Sequence, residues 1–311
     1  MAKKPVSKNH NKELIGTILA LITAVISGFA IPINKIFVVG IDPTVFTAVR
    51  ALIIGLVFLF ISFVQGNFST KSFKKVSWKP LLFIGFIGGG LAFLFFFTGL
   101  GLTTAGRAAF LHKLLPVFIA VFAVLFLKEK IPRKQGIALL VMLVGAYLIF
   151  SATIEPAAFW LNPGFGDILI IGATILWALE STIAKRTMIK GETNFIVSFA
   201  RMFFGGLLLF GIIILLGKFD ILLSLSAIQI TNMLISTGIL FGYVLFWYAS
   251  IKYINVSKAA AILLLAPVIS LFLGIYWFGE PFPLLQMIGS ALIIIGAVVV
   301  VKIKSQFSTG V

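Results

Sequence analysis

Two stretches of this chain carry the same landmarks in the same order, 151 positions apart. Arg50 aligns with Arg201, Gly55 with Gly206, Phe95 with Phe246 and Ala108-Ala109 with Ala259-Ala260. Pro116 aligns with Pro267, Glu129 with Glu280, Pro132 with Pro283, Gln135 with Gln286 and Gly145 with Gly296. A shift of 150 joins the segments before these, with Gly16 on Gly166 and Lys35 on Lys185. No gap is needed across residues 43–150. A duplication of this kind confines the fold to two copies of one unit. In a very apolar chain it points to a membrane protein built from two halves.

The apolar content decides the solvent. Of 311 residues, 60% are hydrophobic and only 11% charged, against about 25% charged in ordinary soluble proteins. About 20 apolar residues cross a bilayer as a helix. Ten such runs are present: 14–35, 43–64, 80–98, 103–126, 134–150, 167–187, 195–216, 228–251, 257–278 and 284–302. The expected fold is an all-α polytopic membrane protein of ten transmembrane helices, arranged as two five-helix repeats. The halves are read as 14–150 and 166–303, with a basic tail at 1–13, a linker at 151–165 and a second tail at 304–311. Pro43, Pro80, Pro132 and Pro283 stand at helix starts, where a missing N–H costs nothing. The first apolar run is long enough to span, so no cleaved leader is expected. The chain has no cysteine, which excludes disulfides and thiolate metal sites. No metal or other cofactor is expected.

The net charge of +16 would suggest nucleic acid in a soluble chain. Here the lysines and arginines lie between apolar runs, and no basic face interleaved with stacking aromatics exists outside them, so no nucleic-acid partner is expected. Lys3, Lys4, Lys8 and Lys12 precede span 1, and Lys71, Lys74, Lys75 and Lys79 follow span 2. Lys128, Lys130, Arg133 and Lys134 follow span 4, and Lys185, Arg186 and Lys190 follow span 6. Lys252 and Lys258 flank the turn after span 8, and Lys302 and Lys304 close the chain. With ten spans all of these fall on one side, which puts both termini in the cytoplasm of a plasma-membrane protein. Five spans per half is odd, so the second half enters upside down. The loop charges reverse accordingly: the basic 71–79 corresponds to the nearly neutral 217–227, and the basic 128–134 to 279–283, which has no Lys or Arg. This is an inverted-topology repeat, in which a substrate site is expected near the midplane.

Ten spans in two halves, with a Pro-x12-Glu spacing closing span 4 (Pro116 to Glu129) and span 9 (Pro267 to Glu280), resemble the drug/metabolite transporter superfamily, and most closely its EamA-type family. The segment 103–109 through Phe126-Leu127-Lys128-Glu129 is similar to that family's first-half signature. The resemblance covers about residues 14–303. It implies a secondary transporter, most readily an exporter of small metabolites or amino acids. The inverted repeat predicts alternating access through a cavity between spans 1, 3, 4 and 6, 8, 9, with spans 5 and 10 peripheral. Its partners would be a small-molecule substrate and the lipid bilayer, with a homodimer left open.

Ionisable groups in mid-membrane cost about 2.5–3.5 kcal/mol each on insertion scales, so each calls for a reason. Glu180 is the sole acid deep in an expected span, one turn from Trp177 and next to Ser181. It reads as a proton-titrating group, a partner for a substrate amine, or half of a structural ion pair. His112 and Lys113 lie near the middle of span 4, where Ala105, Ala108, Ala109, His112 and Pro116 share one helical face. His112 suits proton relay or an interhelical hydrogen bond. Lys113 suits a carboxylate or phosphate, or pairing with Glu180. The two point about 100° apart on one helix, so both reach one cavity only if span 4 is central. Arg107, Asn34, Tyr243 and Trp247 complete the binding candidates. Pro32, Pro116 and Pro267 are hinge candidates, because Pro removes a backbone hydrogen bond. Arg50 and Arg201 repeat, as do Glu129 and Glu280, and so read as scaffold; each Glu is expected to serve the amino terminus of the helix that follows it. GxxxG pairs at Gly85/Gly89 and Gly238/Gly242 signal close helix packing. Tyr243, Phe246, Trp247 and Tyr248 suggest an aromatic lining, and Trp78 and Trp160 interfacial anchors.

No catalytic residues are expected. Gly164-Phe165-Gly166-Asp167 has the GxGD form of intramembrane aspartyl proteases, but the partner carboxylate that chemistry needs is missing, because Asp42 and Asp220 lie in loops. An N-cap role explains Asp167. No HExxH and no phosphate-cradling Gly-rich loop is present. Two alternatives stand beside the exporter. One is a facilitative exchanger of organic anions, phosphate esters or nucleotide sugars using Lys113, His112 and Arg107. The other is a membrane protein that moves no solute, such as a lipid scramblase or a sensor. Glu180, His112 and Lys113 break the repeat, their partners being Ala30, Leu263 and Leu264, and those breaks are where a substrate is sought.

Overall fold

The computed structural model describes residues 6–67, 76–151 and 163–305, and these are helices and short connections. The first half runs α1 (Val6–Phe37), α2 (Pro43–Val64), α3 (Trp78–Leu102), α4a (Ala105–His112), α4b (Leu115–Leu127) and α5 (Arg133–Ser151). The second runs α6 (Phe165–Ile189), α7 (Asn194–Leu215), α8 (Ala227–Tyr253), α9a (Val256–Leu263), α9b (Ala266–Phe278) and α10 (Leu284–Lys302). A helical turn, Phe219–Leu223, lies between α7 and α8. Among the described residues, ten helical segments are long and apolar enough to cross a membrane. Trp160, Lys71, Lys74 and Lys75 fall outside the described residues.

The principal interfaces join one half to the other, and they occur in symmetry-related pairs. α2 packs on α7 and α5 on α10; α1 packs on α8 as α6 packs on α3; α1 packs on α9b as α6 packs on α4b. The first two interfaces lie on the pseudo-twofold axis itself. Small residues make this close approach possible. A Cβ on Gly55 would stand 2.6 Å from the Phe203 backbone of α7, and one on its repeat partner Gly206 would stand 2.9 Å from Leu52 N of α2. On α3, Gly85 and Gly89 face α7 in the same way, against Ala200 and Arg201. Gly238, in the α8 motif, has open space around it, so the two GxxxG motifs do not share a role.

α4 and α9 are broken at equivalent places. Pro116 and Pro267 lack the N–H that would continue the helix, and their rings crowd the carbonyls four residues back, His112 and Leu263. The chain tightens across each break through Lys113 N–H to Phe110 O (2.8 Å) and Leu264 N–H to Ala261 O (3.1 Å). Pro32, by contrast, sits inside an unbroken α1. The carbonyl it frees, that of Gly28, accepts from Ser270 Oγ of α9b at 2.8 Å. α3 contains a π-helical stretch, Ile84–Leu91, covering the run Gly88-Gly89-Gly90. Wider turns of this kind are rare and cluster at functional sites.

Candidate functional site

Two cavities flank the break in α4. The larger, about 620 Å³, lies toward the face that carries the α3–α4 and α9–α10 turns. α1 contributes Ile31 and Pro32, α3 contributes Phe96 and Leu100, and α9b contributes Pro267, Ser270 and Leu271. From α4a come Ala108, Ala109 and His112, joined by Lys113. The break resolves the angular problem posed by the sequence: with the helix interrupted after His112, both His112 and Lys113 line this one space. Ile149 and Phe150 of α5 and Gln286 of α10 line it as well, so α5 and α10 are not peripheral as expected. Their ends, packed together on the axis, form part of its wall.

The smaller cavity, about 150 Å³, lies deeper and is lined by Phe93, His112, Trp177, Ser181, Arg201, Tyr243 and Trp247 among others. An aromatic cluster stands between the two spaces. The Trp177 ring centroid lies 5.2 Å from His112, 5.4 Å from Phe96 and 5.1 Å from Phe93, in edge-on or tilted geometry. The Trp177 indole N–H is fixed by the Gly88 carbonyl in the π-helical stretch of α3, at 2.9 Å. His112 is the residue common to both linings.

Glu180 is fully buried against α3, α7 and α8. Tyr248 Oη donates to its Oε1, Ser181 Oγ donates to its Oε2 at 3.3 Å, and Arg201 Nη1 lies 3.7 Å away. Arg201 also donates to Tyr248 Oη at 3.2 Å. Two expectations change here. Lys113 does not pair with Glu180, because Arg201 holds that place. Arg201, read as scaffold because it repeats with Arg50, lines the deeper cavity. Arg50 occupies different surroundings: it donates to Ser236 Oγ at 2.5 Å, which donates to Asn34 at 2.5 Å. Asn34 is thereby held in a chain of hydrogen bonds and lines neither cavity. The repeat preserved the side chain and changed its partners: Glu180 and Tyr248 have Ala30 and Phe97 as counterparts, and Ser236 has Gly85.

Arg107 is likewise engaged, with Asp167 of α6, which also accepts from Thr103 Oγ1 at 2.5 Å. Asp167 is the third residue of α6 and reaches back to the Gly164 N–H at 2.9 Å, so it serves the helix start from inside the first turn rather than as the N-cap residue.

The two conserved-in-repeat glutamates show the clearest asymmetry. Both follow a left-handed residue that ends a helix, Lys128 at φ 53° and Gly279 at φ 64°. Both close the same helix-ending turn, Glu129 N–H to Ala123 O at 3.1 Å and Glu280 N–H to Gly274 O at 3.3 Å. From there they diverge. Glu129 is buried and reaches across to the other half, where it accepts from Val256 N–H (2.9 Å), Ser257 N–H (3.3 Å) and Ser257 Oγ (2.6 Å). It therefore caps α9a, not the helix that follows it; the Asn255 side chain makes no cap bond there. Gln135 Nε2 adds a bond to Ser257 Oγ at 3.3 Å. Glu280 is exposed and lines the large cavity together with Gly106 and Gln286. The corresponding α4a is capped by its own Thr104, whose Oγ1 accepts from Arg107 N–H at 3.3 Å.

The basic face is closed by further contacts of the same kind. Lys258 bonds Glu13 (2.7 Å) and the Ile303 carbonyl (2.7 Å). Lys185 donates to the Ile251 and Ile254 carbonyls at 2.5 and 3.0 Å. Ala259, Ala260 and Ala261 are at most 1% exposed. Thus the space between the halves is sealed at one face, while a cavity occupies the other.

Residues 14–151 and again residues 164–302 match the EamA-like transporter family. The chain belongs to that family. An uncharacterized transporter of Archaeoglobus fulgidus is 27% identical to this EamA-like chain, over 74% of it and 80% of the relative. The uncharacterized transporter YyaM of Bacillus subtilis is 28% identical, over 72% of each. A relative in Methanothermobacter thermautotrophicus, also named an uncharacterized transporter, is 25% identical over 92% of this chain and 86% of its own length. A crystal structure of a protein shares the fold, with a TM-score of 0.75 at 18% identity over 91% of this chain and 95% of that one. The EamA-like protein is a multi-pass membrane transporter whose two family repeats each supply five spans.

Proposed function

We propose that this EamA-like protein is a secondary transporter of the plasma membrane, with both termini in the cytoplasm, that exports small metabolites or amino acids by alternating access. The two halves rock about the α4 and α9 breaks, and the substrate site is the cavity lined by His112 and Lys113. Export is the direction implied by the family resemblance, and the basic loops set the orientation.

The observation that carries this reading is the unequal state of Glu129 and Glu280. They occupy equivalent positions on equivalent turns, yet one is latched across the interface and the other stands at a cavity. An inverted repeat has two conformations that exchange the roles of its halves. In the second conformation Glu129 releases α9a, and Glu280 accepts from the backbone N–H groups of residues 105 and 106 at the start of α4a. The surroundings of the two carboxylates are thereby exchanged between the two states. Facilitated exchange of organic anions, the second reading, rests on Lys113 in the same cavity and differs in requiring a counter-substrate on the far side.

The test is transport by purified protein in liposomes carrying cysteines at Gln135 and Ser257. Saturable solute flux is expected, abolished when the pair is oxidised and restored on reduction. Flux that persists with the cytoplasmic mouth cross-linked contradicts alternating access, and lipid equilibration without solute flux contradicts the transporter assignment.

A further inference from the structure

The cations around the two cavities are not in the same state. Arg201 is matched by Glu180 and Arg107 by Asp167. Lys258 is matched by Glu13, and Lys185 by two carbonyls. Lys113 lines the larger cavity, and its ammonium makes no hydrogen bond or ion pair with any described residue. Its repeat partner is Leu264, which is 1% exposed, so the architecture accepts an apolar side chain at this position and the lysine is an addition specific to the first half. The one acid in the same lining, Glu280, lies on the turn after α9b and forms no ion pair with Lys113. Around Lys113 the wall is apolar: Ile31, Phe96, Ile149 and Leu271.

An ammonium in an apolar membrane cavity is costly unless an opposite charge joins it. We propose that Lys113 is the anion anchor of the large cavity, and that the ligand it takes is a monocarboxylate with an apolar or aromatic body. This rests on the reading of that cavity as the transport site. Three features define the class. The volume of about 620 Å³ falls in the usual range for sites that enclose a small ligand. A single uncompensated cation matches a single negative charge, whereas a phosphate ester carries about −1.5 to −2 and would remain half neutralised. Lysine offers a point charge with freely turning donors, which suits a lone carboxylate and lacks the planar fork that holds phosphate in two-point geometry. The body of the ligand then lies toward Phe96 and Phe150, with His112 and Trp177 at its inner end.

The experiment is a thermal-shift series on the purified full-length protein, using ligands of one shape and different charge: hydrocinnamate, its alcohol, its amine, and phenyl phosphate. A ligand that prefers the folded state raises the unfolding temperature. Hydrocinnamate is expected to stabilise the wild type and Lys113→Arg. Its affinity should fall by about 10- to 100-fold in Lys113→Gln, as loss of one charge-assisted hydrogen bond implies. The alcohol, amine and phosphate should act weakly in all three. No shift with hydrocinnamate, an equal shift with the alcohol or amine, or a shift that survives in Lys113→Gln overturns the assignment. If Lys113→Gln does not fold, the charge series on wild type and Lys113→Arg decides alone. Failure here leaves the cross-linking result untouched, and failure of cross-linking to block flux leaves the charge series untouched, so the two failures are told apart.

Discussion

Glu129→Gln should shift the conformational equilibrium rather than unfold the protein. The carboxylate accepts three hydrogen bonds from the first turn of α9a, at 2.9, 3.3 and 2.6 Å. Hydrogen bonds to a charged group are worth about 1.5–3 kcal/mol each, and the charge at a helix amino terminus adds up to about 1–2 kcal/mol. These terms share one side chain and do not add in full. Glutamine keeps one acceptor oxygen but turns an NH2 toward the donors. A net loss of about 2–3 kcal/mol for the state in which Glu129 caps α9a follows, or about 30- to 150-fold in population. The chain has no cysteine, so an introduced one reports alone. Ala260 is 0% exposed on the closed side, and its repeat partner Ala109 lines the open cavity. With a membrane-impermeant maleimide, Glu129→Gln should raise the labelling rate of Ala260→Cys by up to about that factor, saturating once the second state predominates, and lower that of Ala109→Cys as the first state is depopulated. Unchanged labelling at Ala260→Cys refutes the latch. A rise at both positions indicates loss of structure and refutes the two-state argument.

The remaining predictions concern the other latch, the buried pair, a half-buried pair and a close helix contact. Glu280→Gln should act with opposite sign, disfavouring the state in which α9a is released and so raising Ala109→Cys labelling. Glu180→Ala and Arg201→Ala should each destabilise by about 3–5 kcal/mol, because either leaves a buried charge unmatched; the double variant should cost clearly less than the sum, and additive losses in a thermal double-mutant cycle would contradict the pairing. At Asp42, before α2, burial alone would raise the carboxyl pKa, but Lys218 at 2.6 Å and the Val45 and Thr44 N–H groups hold it below its ordinary 3.8. The folded-state pKa is depressed, so this stabilisation is present above about pH 4 and is lost as pH falls through the lowered value. Asp42→Asn keeps an N-cap residue, should cost under about 1 kcal/mol at neutral pH, and should lack that acid step in thermal unfolding. Gly89→Ala, whose Cβ would overlap the Arg201 carbonyl, should destabilise by about 1–3 kcal/mol, whereas Gly101→Ala, with no neighbour within 4 Å, should be near neutral on the same assay.

The sequence carried the architecture because duplication and loop charge are both one-dimensional records. Matching landmarks revealed two copies, and the contrast between 128–134 and 279–283 revealed the inversion. The break in α4 was half legible: Pro116 marked it, but only the folded chain shows that the interruption brings His112 and Lys113 to one cavity. Arg201 was passed over because symmetry with Arg50 suggested a shared role. Its true surroundings depend on Glu180 and Tyr248, which come from α6 and α8 and leave no trace near Arg201 in the chain. Glu129 misled in a similar way. The proline three residues later suggested a local cap, whereas the carboxylate crosses to α9a. The signal that pointed there was present as the repeated Glu129/Gln135 and Glu280/Gln286 pairs, which mark one motif serving two opposite mouths. The π-helical stretch of α3 left only the run Gly88-Gly89-Gly90, and such a run does not by itself specify a wider turn.

The central claim is that the two mouths open in opposition. Spin labels at Leu102 and Leu284, both exposed at the open mouth, and at their repeat partners Tyr253 and Arg133 on the closed side report the two openings as two distances. In the wild type the first distance should exceed the second. In Glu129→Gln the first should shorten as the second lengthens. Two distances that stay fixed, or that change in the same direction, would contradict the account.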